Sequence, residues 1–131
     1  MVYDSNMRLI VFFLSFACVA LCQEPAPFAC NMKVFQPVER KQHQALTHQI
    51  MAVATVQEVP RGYSFQIDPA KISLLELAEW SGRERKCCPF FNLQLSIDGE
   101  NEGKLTLTIT GRDGIKQFIR AEFEKLLPNK M

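Results

Sequence analysis

Two hydrophobic periods alternate along the chain. Val38, Ala45, Leu46, Ile50 and Val53 share one face at about 100° per residue, which predicts a helix over 37–51 with Pro37 in its first turn. Ala52 to Val59 is a β-favouring run that ends at Pro60, and Pro60-Arg61-Gly62 is turn chemistry. Tyr63, Phe65 and Ile67 then alternate with Ser64 and Gln66, completing a first hairpin with one buried and one wet face. Asp68 and Pro69 predict the start of a second helix, with Asp68 as its cap. Ile72, Leu75, Ala78 and Glu79 mark its spacing, Leu74 and Leu77 widen its apolar face, and Trp80 packs or half-buries on it. Gly82 weakens this helix late and Pro89 sets its end.

Phe91, Leu93, Leu95 and Ile97 alternate with polar residues up to a turn over 98–103, after which Leu105, Leu107 and Ile109 alternate with Thr106, Thr108 and Thr110. That is a second hairpin. Gly111 to Gly114 forms a turn with Asp113 as cap. Ile115, Phe118, Ile119, Phe123 and Leu126 give a last helix its stripe, closed by Pro128. The order helix-hairpin-helix-hairpin-helix predicts an α+β fold: two layers, with an antiparallel sheet of about four strands and three helices.

The start of the chain breaks this pattern. Leu9 to Leu21 is an uncharged apolar run of 13 residues behind Arg8, shorter than the ~20 a bilayer-spanning helix needs. It reads as a secretory signal peptide over 1–22, with cleavage after Cys22 and Met7 as the more typical start. A lipoprotein that keeps Cys22 is the less favoured alternative, because the bulky Leu21 precedes it, and a retained anchor is a third. Residues 23–29 form a Pro-rich linker, and 30–131 a single domain with no stable membrane span.

Composition narrows the function classes. The 131 residues carry a formal net charge of +1, which excludes nucleic acid as the expected partner, and 47% hydrophobic residues are ample for one core. Removing Asp4 and Arg8 with the signal leaves that charge unchanged. The five cysteines reduce to three in the mature chain, Cys30, Cys87 and Cys88, an odd number for an oxidising compartment.

Chemistry concentrates at Glu84-Arg85-Lys86-Cys87-Cys88-Pro89-Phe90-Phe91, where two adjacent thiols sit between a helix and a strand. Thiolates bind soft or borderline cations, and three thiols with an imidazole complete a tetrahedral site for zinc or another thiophilic ion. The candidate ligands are Cys30, Cys87, Cys88 and His43 or His48, with Glu84 either a carboxylate partner in the site or a solvated helix residue. The two histidines, five residues apart, flank the apolar stripe on opposite sides and do not readily grip one ion together. Arg83, Arg85 and Lys86 are expected to favour the thiolate form. Against a metal site, the spacing is not that of a zinc finger, and Cys30 can instead pair with Cys87 or Cys88 in a disulfide. A catalytic thiol is the weakest reading, because no base is fixed beside it in sequence. Glu39-Arg40-Lys41 reads as a solvated face in which Arg40 can form an ion pair.

The stretch from Cys30 to Phe123 resembles a group of small, mostly uncharacterised bacterial domains. It matches their pattern at Cys30, at Glu39-Arg40 with His43, at Gly62-Tyr63 with Phe65, and at Glu84-Arg85 with Cys87-Cys88-Pro89-Phe90. It closes on Ile109-Thr110-Gly111, Gly114, Lys116 and Phe118. A similar segment is appended to some regulators of the mercury-resistance type. The resemblance implies thiophilic metal binding through Cys30, His43, Glu84, Cys87 and Cys88. A regulator role is not implied, since this chain carries an export signal and no DNA-binding helix-turn-helix. Two further readings stay open: a structural or interaction module with a Cys30 disulfide, and a thiol-redox protein.

Overall fold

The computed structural model describes residues 27–126, so the expected export segment and Pro128 lie outside the described residues. The chain folds as an α+β domain in the expected order: α1 (Pro37–Val53), β1 (Thr55–Val59), β2 (Gly62–Ile67), α2 (Leu74–Cys87), β3 (Asn92–Asp98), β4 (Lys104–Thr110) and α3 (Ile115–Glu124). A one-turn 3-10 helix, Met32–Val34, precedes α1. The four strands form one antiparallel sheet in the order β1-β2-β4-β3, so the two hairpins join through β2 and β4 at its centre. Among the described residues no helix is long and apolar enough to cross a membrane.

The alternation of the strands sets the sheet's two sides. Phe65 lies opposite Leu107, which lies opposite Leu95, while Ser64, Thr108 and Gln94 make the neighbouring row. A period of two sends these rows to opposite faces. Phe65, Ile67, Leu105, Leu107 and Ile109 are buried, and Phe123 of α3 meets Phe65 edge-on at 5.5 Å. Ile97, in the inward row by pattern, is exposed because β3 is an edge strand and the row ends there. Ser64, expected to be wet, is buried on the central strand β2 with paired neighbours on both sides. At the start of β2, Gly62 passes so close to the carbonyl of Ile109 that a Cβ there would collide with it.

The helices depart from expectation in instructive ways. Helix α1 runs to Val53, two residues past the predicted end, and β1 starts correspondingly later than 52. Helix α2 begins at Leu74 rather than at Asp68-Pro69. Asp68 builds a turn instead: its carboxylate accepts from the Ala70 N–H, and its carbonyl accepts from Lys71 and Ile72. The true cap is Ser73, whose hydroxyl accepts from the Glu76 N–H while the Glu76 carboxylate accepts from the Ser73 N–H. At α3 the N-cap is Gly114 in the left-handed region (φ 90°), not Asp113, and no side chain caps the helix. The stripe of α3 is as predicted, with Ile115, Ile119 and Phe123 buried and Phe118 and Leu126 packed beside them.

The buried faces of α1 and α2 differ from the apolar stripes read from the sequence. Val38 is 70% exposed and Leu75 78% exposed, although both were assigned inward. The inward residues of α1 are His43, Ile50 and Met51, and those of α2 are Leu77, Trp80, Glu84 and Cys87. Each set still has helical spacing, so each is one face. Ile50 and Leu77 are buried as expected, so each face is rotated rather than replaced, because polar residues occupy core positions on both helices.

Candidate metal centre

The C-terminal end of α2 brings the two thiols to the core. Cys87 is the last helical residue and Cys88 the cap, whose N–H donates to the Glu84 carbonyl at 2.8 Å. Pro89 follows directly, and a helix ends readily before a proline. Glu84 lies one turn before Cys88 on the same inward face. His43 reaches it from α1: the His43 Nε2 to Glu84 Oε2 distance is 2.7 Å, with both residues buried.

Several contacts fix the imidazole. It stacks on Trp80 with centroids 5.8 Å apart and lies 5.2 Å from the Phe35 ring. Trp80 Nε1–H donates to the Thr47 hydroxyl at 2.8 Å, and that hydroxyl donates to the His43 carbonyl at 2.8 Å. Among the described residues, His43 Nδ1 is the one buried side-chain nitrogen or oxygen with no hydrogen-bond partner. A neutral imidazole that donates from Nε2 to Glu84 leaves a lone pair on Nδ1. A carboxylate placed beside a histidine in this way can orient a metal-bound ring or share its ion.

Cys30 and Cys88 form a disulfide, with Cα atoms 4.6 Å apart. Cys87 is free and buried. Its Sγ lies 3.6 Å from Cys88 Sγ, 3.4 Å from the Glu84 carbonyl oxygen and 3.8 Å from Glu84 Oε2. Burial, reinforced by the Glu84 charge and by the hydrogen bond to it, pushes the Cys87 thiol from its ordinary 9.0 up to about 12. This corrects the expectation that Arg83, Arg85 and Lys86 favour the thiolate. Arg83 faces Glu79 at 2.7 Å and Glu39 at 3.9 Å, and Arg85 and Lys86 are exposed. The nearest charge to the thiol is therefore an acid.

All five residues singled out in the sequence, Cys30, His43, Glu84, Cys87 and Cys88, line one cleft of about 670 Å³. His43, Glu84 and Cys87 offer donor atoms within 4.8 Å of one another, and so do Cys30, Glu84 and Cys88. Glu84 belongs to both groups. While Cys30 and Cys88 are bonded to each other, only the first group offers a thiol. His48 lines the same cleft but is exposed, and it belongs to neither donor group.

Thr47, Trp80, Phe35 and Arg40 support the site and were not assigned to it from the sequence. Thr47 and Trp80 each stand four residues from a core site residue on the same helix face, which is a signal in the spacing alone. Among the described residues Arg40 makes no ion pair. Its guanidinium donates to the carbonyls of Met32 at 3.0 Å and Phe35 at 3.3 Å, pinning the N-terminal turn to α1. Comparison with family models, curated proteins and solved structures finds no match to this chain.

Proposed function

We propose that this is a small exported domain that binds a soft or borderline metal ion through His43, Glu84 and Cys87, with no catalytic step assigned to it. The observation that carries the reading is the convergence of one imidazole, one carboxylate and one thiol within 4.8 Å. The same imidazole leaves its buried Nδ1 without a hydrogen-bond partner, which supports a ring with a bond still to make. Buried polar groups normally find partners, and three unlike donors gathered on two helices cost desolvation that their mutual hydrogen bonds offset only in part, since His43 Nδ1 stays unpaired. A thiol in the set selects for ions such as Zn(II), Cu(I) or Hg(II) over Mg(II) or Ca(II). The ion neutralises charge and displaces the thiol proton, so a thiol that resists ionisation in the free domain is compatible with ligation. Export is supported by the apolar run behind Arg8 and agrees with a disulfide, which persists in oxidising compartments. The resemblance to small bacterial domains with the Cys-Cys-Pro-Phe element supports the same assignment.

Native mass spectrometry of the full chain under reducing conditions, with and without Zn(II) or Hg(II), tests this. One bound ion is expected, lost in Cys87→Ser and in His43→Ala. An unchanged mass in the wild type, or equal retention in both variants, contradicts it.

One observation favours a second reading, a structural module. The disulfide ties the N-terminal segment to the end of α2 across 58 residues, and a neutral buried Cys87 then serves as an apolar filler. On that reading Cys87→Ala leaves every binding property untouched.

A further inference from the structure

Resting on the metal-binding reading, we propose that the Cys30–Cys88 disulfide gates the site: its reduction releases two thiols beside Cys87 and converts a one-sulfur donor set into a three-sulfur set for a thiophilic ion. In the disulfide both sulfurs are neutral and bonded to each other, so neither acts as a thiolate ligand. Both sulfurs nonetheless lie next to the first donor group, with which they share Glu84. Cys87 Sγ is 3.6 Å from Cys88 Sγ, and the Cys30, Cys88 and Glu84 donors lie within 4.8 Å of one another.

The gate works only if Cys30 stays in place once the bond opens, and the segment around it has other anchors. The Asn31 N–H donates to the Cys87 carbonyl at 2.8 Å. Phe28 packs on Phe90 at 5.1 Å and on Phe118 at 5.6 Å. Arg40 holds the carbonyls of Met32 and Phe35. These contacts bracket Cys30 on both sides. Cys88 is held separately by its N–H bond to the Glu84 carbonyl. Reduction therefore changes the donors without dismantling the cleft.

The step balances with an external dithiol as reductant. The Cys30–Cys88 S–S bond breaks, each sulfur gains one electron and one proton, and the dithiol becomes a disulfide. Ion binding then releases the thiol protons. Linkage makes the effect reciprocal: an ion that prefers the dithiol form also favours reduction.

The test uses the full chain, purified oxidised, and the same material reduced with a phosphine that is then removed without oxygen. Cd(II) is the probe, followed by calorimetry and by its sulfur-to-metal ultraviolet absorption. Near-ultraviolet circular dichroism of Trp80 monitors the fold. The reduced chain is expected to bind Cd(II) at least about tenfold more tightly. Its sulfur band should be about three times as intense per ion, in proportion to the thiolates counted here. The Cys30→Ala/Cys88→Ala chain, treated identically, should stay at the oxidised chain's affinity and band. Equal affinity and band in both redox forms overturn the gate and leave the metal-binding reading standing, whereas no binding by either form overturns both. Loss of the Trp80 signal on reduction also overturns the gate, since it requires an intact cleft.

Discussion

The sheet and the seam between α1 and α2 are both buried, yet they are built from opposite materials. The inner face of the sheet is Tyr63, Phe65, Ile67, Leu105, Leu107 and Ile109, apolar but for one phenol hydroxyl. The seam presents His43, Glu84 and Cys87 beside Trp80 and Ile50. Hydrophobic burial explains the first without remainder. It does not explain the second, because a buried histidine–carboxylate pair is frequently no more stabilising than apolar residues of the same volume. The difference teaches where chemistry resides: the sheet secures the fold, and the seam carries groups whose presence stability alone does not require.

That contrast can be broken experimentally. The largest effect is expected from removing the cross-link between the N-terminal segment and α2. The bonded cysteines stand 58 positions apart in sequence, so chain entropy predicts a loss of about 4 kcal/mol for Cys30→Ala/Cys88→Ala, read by urea unfolding. Leu107→Ala should follow at about 2–5 kcal/mol, because it opens a cavity in the sheet core, and should leave ion binding unchanged. An effect of Leu107→Ala on binding would mean that the two regions are not separable.

The seam should behave differently. His43→Ala alone leaves Glu84 buried without its partner and is expected to cost about 1–3 kcal/mol. His43→Leu combined with Glu84→Leu should cost close to nothing, or stabilise, while abolishing ion binding. A double variant that is much less stable than either single one would show that the pair serves the fold.

The smallest effect is a pH dependence. The folded chain holds the Cys87 proton up to about 12, while in the unfolded chain the thiol ionises near its ordinary 9.0. The unfolded state therefore binds fewer protons between those values, and stability falls as pH rises through that window. Stability to urea at pH 8 and pH 10 should drop in the wild type more than in Cys87→Ala. Parallel drops would show that the thiol is not shielded.

The same contrast explains what was legible beforehand. Strict alternation over 91–97 and 105–110 identified the second hairpin, and the stripe of Ile115, Ile119 and Phe123 identified α3. These segments follow the rule that apolar residues face inward. Val38 and Leu75 misled, since the rule places them inside while His43 and Glu84 in fact occupy the core faces of their helices. The start of α2 was misread because Asp68-Pro69 and Ser73-x-x-Glu76 are both plausible openings, and only packing decides between them. The candidate site residues, which share one cleft, are legible by chemical type, from adjacent thiols beside an acid. Their supports, Thr47, Trp80 and Arg40, were not, because their roles depend on which helix faces meet.

Zinc K-edge X-ray absorption of the reduced, zinc-loaded full chain tests the central claim most directly. The account predicts a sulfur shell at ~2.3 Å together with a nitrogen or oxygen shell at ~2.0–2.1 Å. The sulfur shell should weaken in Cys87→Ser, and the lighter shell in His43→Ala. A shell of nitrogen and oxygen alone, indifferent to both substitutions, would contradict it.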